Sequence, residues 1–257
     1  MTDLLKQIYY VAWGDLMYMK HNFMNILIMS IMSPILYLVA FGFGLRTGVT
    51  DIGVSYVSFV IPGIVALSSL NSSFSSTSTR MNVQRLYYRS FDEMMMCPLS
   101  LHAIVWGKCV LGLVRGLIGC FLLYGLGLAL GAAGIGGMEL ELTPLFVVCT
   151  VMSCIVFSFL GMAAALIAKS HSTMATFNSL IILPMTFLCG TFFSVSALNP
   201  VFQGVLYCLP LTYSSEIIRA AALPQFLDFP WLCLLGLLAW GIAFYILDYW
   251  LLKTRKV

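Results

Sequence analysis

The 257 residues are 61% hydrophobic and only 9% charged, with a mean hydropathy of +0.98 and a formal net charge of +3. A soluble domain of this size carries about 25% charged residues, so this chain could not solvate its own surface, and a polytopic all-α membrane protein is expected. At about 20 residues per span the length allows roughly six spans with short loops, and the net charge is too small to point to nucleic acid.

Residues 2–21 do not read as a secretory signal, because Asp3, Asp15, Lys20 and His21 interrupt them. Leu4, Leu5, Ile8, Val11, Ala12 and Tyr18 fit a helical stripe, and Tyr9, Tyr10 and Trp13 suit the headgroup level. Residues 1–22 therefore read as an amphipathic helix lying in the interface, the alternative being a cytosolic extension of the first span. The six-span domain is expected over 23–252. Its first span is 23–45, with Pro34 inside it, and Arg46 and Asp51 mark a short external loop. The second span, 55–79, is apolar at first and then carries Asn71, Ser72, Ser75 and further hydroxyls up to Thr79. Such a half-helix suits a protein neighbour or a polar path better than lipid, and plain interhelical packing is the competing reading.

Residues 80–103 form the longest charged segment, carrying Arg80, Arg85, Arg89, Asp92 and Glu93. A charged helix between two spans lies outside the hydrocarbon, and its basic excess places it in the cytoplasm. It reads as a docking element. The third span, 104–131, is long enough for its first turns to project from the membrane. Lys108 and Arg115 share a face seven residues apart. Arg115 either snorkels to the headgroups or handles an anionic substrate. Gly112, Gly116 and Gly119 permit close helix approach.

The fourth and fifth spans are 143–168 and 175–193, the latter with Pro184. Segment 194–230 is too long for a turn and too apolar for a solvated loop, and Pro200, Pro210, Pro224 and Pro230 divide it. Re-entrant outer helices fit it best. The sixth span, 231–252, leads to a basic tail, 253–257. Of the thirteen Lys and Arg residues, this topology leaves Arg46 and Arg219 outside and Arg115 within the membrane. The rest are inside, so both termini are expected in the cytoplasm.

No catalytic constellation can be assembled. His21, His102 and His171 sit at membrane edges in different segments, with no HExxH, no GxSxG and no GxxxxGK[ST]. A nucleotide-driven cycle would need another subunit. The eight cysteines contain no CxxC and read as packing residues rather than metal ligands. Asp248, near the inner end of the last span, suits interfacial solvation or pairing with Lys253. Glu216 and Arg219, three apart, suit a local pair. A stand-alone channel or carrier is opposed by the shortage of intramembrane acids and the large charged segment. An intramembrane lipid-modifying enzyme is opposed by the lack of convergent polar groups.

Three stretches carry a resemblance. They are Tyr56-Val57-Ser58-Phe59-Val60-Ile61-Pro62-Gly63-Ile64; Phe91-Asp92-Glu93-Met94-Met95-Met96-Cys97-Pro98-Leu99-Ser100 with Trp106-Gly107-Lys108; and Leu183-Pro184-Met185-Thr186-Phe187-Leu188-Cys189-Gly190-Thr191-Phe192-Phe193, continuing to Leu209-Pro210-Leu211-Thr212-Tyr213 and Arg219. In order and at this spacing they resemble the membrane subunit of ABC-2 type transporters, in the NodJ-like, lipo-oligosaccharide and drug exporter group. Ser194 and Asn199 depart from the pattern in an outer turn.

The resemblance implies a permease half-transporter in the prokaryotic inner membrane, paired with an identical or similar permease and surrounded by membrane lipids. Two ABC ATPase subunits would hold ATP and Mg, leaving no cofactor on this chain. It further implies that Arg85, Tyr88, Arg89, Phe91, Asp92, Glu93 and Pro98 form a coupling segment for the ATPase. Pathway candidates are Asn71, Ser72, Ser75, Arg115, Phe187 and Phe192. Pro210, Tyr213, Glu216 and Arg219 are candidates for an outer re-entrant gate.

Overall fold

The computed structural model describes residues 2–37, 56–132, 142–188, 190–191, 199–225 and 227–255, and every regular element among them is helical. In chain order these are α1 (Thr2–His21), α2 (Phe23–Tyr37), α3 (Tyr56–Leu86), α4 (Ser90–Met96), α5 (Leu101–Ala132), α6 (Pro144–Ile167), α7 (His171–Phe177), a π-helical turn (Asn178–Ile182), α8 (Leu183–Leu188), α9 (Pro200–Leu206), α10 (Pro210–Ala222) and α11 (Trp231–Arg255). Four of them, within α3, α5, α6 and α11, are long and apolar enough to cross a membrane. The first expected span is described only as α2. Its outer part and the external loop expected at Arg46 and Asp51 lie outside the described residues, as do residues 133–141 between α5 and α6.

The core is built around α3, which packs against α5, α6 and α10. Two apolar clusters hold the bundle. One, around Ile64, Leu70, Phe74, Phe157 and Ile218, joins α3, α6 and α10. The other, around Met81, Phe91, Ile104, Phe159 and Leu252, closes the end where α4 lies.

The contact of α3 with α5 follows from residue size. A side chain at Gly112 would run into Ser158, Thr77 and the Ser73 carbonyl, and one at Gly116 into Ser73 and Cys154. Gly119 lies against Ser72 and Ser68. Glycines on one helix against hydroxyl side chains on the other bring two backbones close, as apolar spans require for van der Waals packing. Gly161 does the same for α6, set against the backbone of Phe74.

Helix ends follow local chemistry. Thr143 caps α6 by accepting from the Phe146 N–H, with Pro144 next to it in the first turn, where its missing donor costs nothing. The Thr143 hydroxyl also donates to the Ala221 carbonyl at 2.7 Å, tying α6 to α10. Ser170 caps α7 through the Thr173 N–H. The helix then widens into the π turn at 178–182 before Pro184. Proline offers no N–H to the carbonyl four residues back and crowds it, and a wider turn relieves both. The segment expected as a span from 175 is thus helical from His171, with this break in it.

The stripe expected on α1 is divided between two faces. Its buried face is Val11, Ala12, Asp15 and Met19, whereas Leu5 and Tyr18 are exposed. The apolar pattern is real, but α1 packs on α5 through small residues: Val11 fills the space beside Gly107. Asp15, which interrupts the apolar run, is buried with it.

Candidate functional site

The exposed polar surface that best suits a protein partner is α4 with its flanking turns. A short break at 87–89 separates α3 from α4, and Arg89 there adopts left-handed backbone (φ 56°, ψ 7°). That conformation is costly for a residue with a Cβ and turns the chain sharply. Phe91 is buried among Met81, Ile104 and Val105 and anchors α4. Tyr87, Tyr88, Arg89, Asp92, Glu93, Met96 and Pro98 stay exposed. Of the residues expected to couple to a partner, Tyr88, Arg89, Asp92, Glu93 and Pro98 therefore share one exposed region, with Phe91 as its root.

Arg85 does not belong to that surface. It is 9% exposed, and its guanidinium donates to the carbonyls of Ala165, Leu166 and Ala168 at the end of α6. The last carbonyls of a helix lack intrahelical donors, and a cation there also suits the helix dipole. Sequence spacing placed Arg85 one turn before Arg89 on a charged segment, but α3 continues to Leu86 and turns Arg85 inward.

Beside α4 lies an ion-pair cluster that the sequence reading missed. Asp15 on α1 accepts from Lys108 Nζ on α5 at 2.7 Å and from Arg80 Nε on α3 at 3.1 Å. Gln84 donates to Asp15 at 2.8 Å and accepts from Lys108 at 2.6 Å. Arg80 also covers the Tyr18 ring at 4.0 Å. Gln7 on α1 accepts from the backbone and hydroxyl of Ser100 at the start of α5. These contacts fasten α1 to α3 and α5. The available signal was an acidic residue inside an apolar stripe, facing a lone lysine at the start of a span.

The pathway candidates separate into two groups. On the second half of α3, Ser72 is buried against Gly119 and is a packing residue. Asn71 and Ser75 are half-buried and Thr79 exposed, four residues apart along one edge. Ser75 and Thr79 line two cavities on either side of that edge. One, of 160 Å³, also takes in Asn82, His171 and Asn178. The other, of 460 Å³, takes in Asn22, Asn25 and Arg115. Arg115 donates to Ser30 on α2 at 3.1 Å. Phe187 is 46% exposed on α8, away from these cavities. Phe192 lies outside the described residues.

At the opposite end, α10 is mostly buried, including Pro210 and Arg219. Glu216 and Arg219 do not pair with each other as expected. Glu216 accepts from the Tyr207 hydroxyl at 2.8 Å and from the Cys233 thiol at 2.9 Å. Burial, and then the Glu216 carboxylate, push the Tyr207 phenol upward, so it remains a donor at neutral pH. Arg219 turns the other way. It stacks on the Phe59 ring at 3.8 Å and donates to the Gly190 carbonyl at 2.8 Å and more loosely to those of Thr191 and Phe59. Gly63 lets the Thr191 backbone approach closely enough for this, and Gly190 has φ 69°, a conformation glycine adopts freely. Tyr213 donates to the Tyr207 carbonyl at 2.6 Å and lies against Gly236 of α11. The motif residues around 59–63, 190–191 and 219 are thus one packed junction.

Asp248 on α11 also corrects the expectation. It is fully buried, and neither carboxylate oxygen has a hydrogen-bond partner among the described residues. Lys253 is exposed and does not reach it.

Comparison with known proteins bears on the whole arrangement. Residues 6–223 match the ABC-2 type transporter family. The chain is 25% identical over 244 residues to the inner membrane transport permease YadH of Escherichia coli strain K12, covering 92% of both chains. It is 29% identical to nodulation protein J of Neorhizobium galegae over 193 residues, 74% of this chain and 71% of that one. With nodulation protein J of Rhizobium meliloti the identity is 27% over 251 residues, 96% and 90% of the two chains. An exposed α4, membrane-length helices and a family match over most of the chain meet in one conclusion: this protein belongs to the ABC-2 type transporter family and is a membrane permease subunit.

Proposed function

We propose that the chain forms half of the translocation pathway of an exporter for an amphiphilic substrate, a lipo-oligosaccharide, glycolipid or drug, with ATP hydrolysed on two separate ATPase subunits. The pathway is completed by a second permease, identical or similar. In this reading six spans cross the prokaryotic inner membrane with both termini in the cytoplasm. The first span begins with α2, and the others are α3, α5, α6, α7–α8 and α11. Helix α1 lies in the cytoplasmic interface, α4 is the coupling helix, and α9 and α10 are re-entrant from the outer face. Pro210, Tyr213, Glu216 and Arg219 then belong to an outer gate.

The observation that carries this reading is α4 itself. The helix and the Arg89 that precedes it project Arg89, Asp92 and Glu93 to solvent while Phe91 roots them in the core. A force applied there reaches α3 and α5 directly, because α4 is connected to both through short turns. Nucleotide-driven closure of two ATPases would bias the spans between pathway states by binding one arrangement better than the other. Asn71, Ser75 and Arg115 are the pathway residues this reading retains, with Phe187 and Phe192 as further candidates.

The test is affinity purification of the tagged chain from its native membrane. A P-loop ATPase should be recovered, and replacing Arg89, Asp92 and Glu93 together by Ala should reduce that recovery at least tenfold. Unchanged recovery would remove α4 from the coupling role, and a permease purified free of any ATPase under mild conditions would sink the ATP-driven reading.

A further inference from the structure

We infer that the cleft between α3 and α7 is a binding site for an uncharged, hydroxyl-bearing headgroup such as a sugar. The inference rests on the export reading, and among its substrate classes it selects the sugar-bearing amphiphile over a charged drug. Binding itself can be tested without that reading. The cleft encloses 160 Å³. One water needs about 10–15 Å³ of such space, so a group of several heavy atoms has room. Phe74 forms part of the wall, and Phe177 stacks on it with ring centroids 6.0 Å apart and planes within 9°. Thr79, His171 and Asn178, also on the lining, are exposed, so the cleft is open to an entering group.

Two lining residues hold polar atoms that the fold leaves unmet. Ser78 is fully buried and Asn82 is 2% exposed. Neither the Ser78 hydroxyl nor the Asn82 amide oxygen has a hydrogen-bond partner among the described residues. Such groups cost stability and are rare enough to need a reason. Nearby serines show the ordinary solution: Ser69 donates to the Ala66 carbonyl and Ser76 to the Ser72 carbonyl, on their own helix. Ser68, Ser73 and Thr77 are also unmet, but they lie against the glycines of α5, where a ligand has no room. Ser78 and Asn82 border a cleft instead.

Charge and donor count identify the head. The lining carries no Lys, Arg, Asp or Glu, so a charged head would leave water there without a counter-charge. A phosphate diester offers only acceptors and a quaternary ammonium no donor, so neither meets an amide oxygen. A hydroxyl donates and accepts at once. Several hydroxyls on one ring can serve Asn82, Ser78 and the residues beside them, with the Phe74 ring as an apolar wall. The cavity across the Ser75–Thr79 edge differs, being bordered by Arg80 and Arg115. The two sides of that edge therefore offer different chemistries, and the α7 side is the uncharged one.

The full chain is purified in a polyoxyethylene detergent that brings no sugar, with its ATPase where that is retained. It is offered three lipids with the same tails: glucosyl dioleoylglycerol, dioleoylglycerol with no further head, and dioleoyl phosphatidylcholine. Retained lipid is counted by native mass spectrometry. The glucosyl lipid should be retained at least tenfold better than the other two. Asn82→Leu should lower its retention about tenfold while the thermal melt stays level or rises, because the variant removes a buried unmet group. Asn178→Trp, which fills the cleft from its rim, should lower retention similarly. Equal retention of the glucosyl lipid and dioleoylglycerol by the unaltered chain would overturn the proposal whether or not either variant folds, leaving water as the occupant. Undiminished retention by a folded Asn82→Leu chain would overturn it too. If that variant also melts lower, Asn178→Trp decides, and undiminished retention there overturns the proposal. ATPase recovery on the same preparations separates the two claims. A chain that recovers no ATPase yet selects the glucosyl lipid defeats the export reading and keeps this site, and one that recovers the ATPase without selecting the lipid does the reverse.

Discussion

Arg85 and Arg219 illustrate what a single residue can hide. Both count as charges near a membrane face, and both are spent on backbone carbonyls inside the protein. A sequence shows that a cation must be solvated by something, and water is the ordinary guess. It does not show that a helix ends nearby with carbonyls to offer. Arg85→Ala should leave the end of α6 without its donors and lower stability by about 2–3 kcal/mol, since hydrogen bonds from charged groups are worth about that. A thermal melt in detergent would show the loss, and the folded fraction should still retain the ATPase. Loss of ATPase with an unchanged melt would return Arg85 to the docking surface. Arg89 should behave oppositely. Its left-handed backbone suits glycine, so Arg89→Gly should raise stability by about 1 kcal/mol while weakening ATPase recovery, a combination that a purely structural residue would not give.

Between elements, the legible feature was spacing and the illegible one was which face it served. Gly112, Gly116 and Gly119 were readable as a close-approach surface. Their partner was not, because the hydroxyls of α3 suit a polar pathway as well as a tight helix contact. The structure divides them: Ser68, Ser72, Ser73 and Thr77 pack, and Asn71, Ser75 and Thr79 form the open edge. The distinction depends on the angular position of each hydroxyl relative to α5, about 100° per residue, and composition carries no such angle. Gly116→Val should therefore disrupt the α3–α5 contact at a cost of about 3 kcal/mol. Gly125→Val, on the same helix with nothing within 4 Å, should be tolerated. Comparable melts for the two variants would mean that α3 and α5 do not meet through this stripe.

For the whole molecule, the membrane class and the charged hinge between α3 and α5 could be read directly from hydropathy and charge. The attachment of α1 could not. An amphipathic helix at an interface is held by apolar area and headgroups, and that logic treats Asp15 as a solvated residue. In the structure Asp15 is 1% exposed and joins three helices that are distant in sequence, a closure that only the folded bundle creates. Breaking such a pair from one side leaves a buried charge and costs about 3–5 kcal/mol, whereas replacing both partners by apolar residues of similar size can be nearly neutral. Asp15→Leu alone should therefore strand Lys108, whose side chain is 6% exposed, and release α1. Limited proteolysis in residues 2–21 should accelerate at least tenfold. Combining it with Lys108→Met should restore most of the protection, since Gly107 and Val11 still pack. Equal proteolysis of the single and double variants would mean that α1 is held by its apolar face alone. Recovery by the double variant would make the ion pair a device for register, setting where α1 meets α3 and α5.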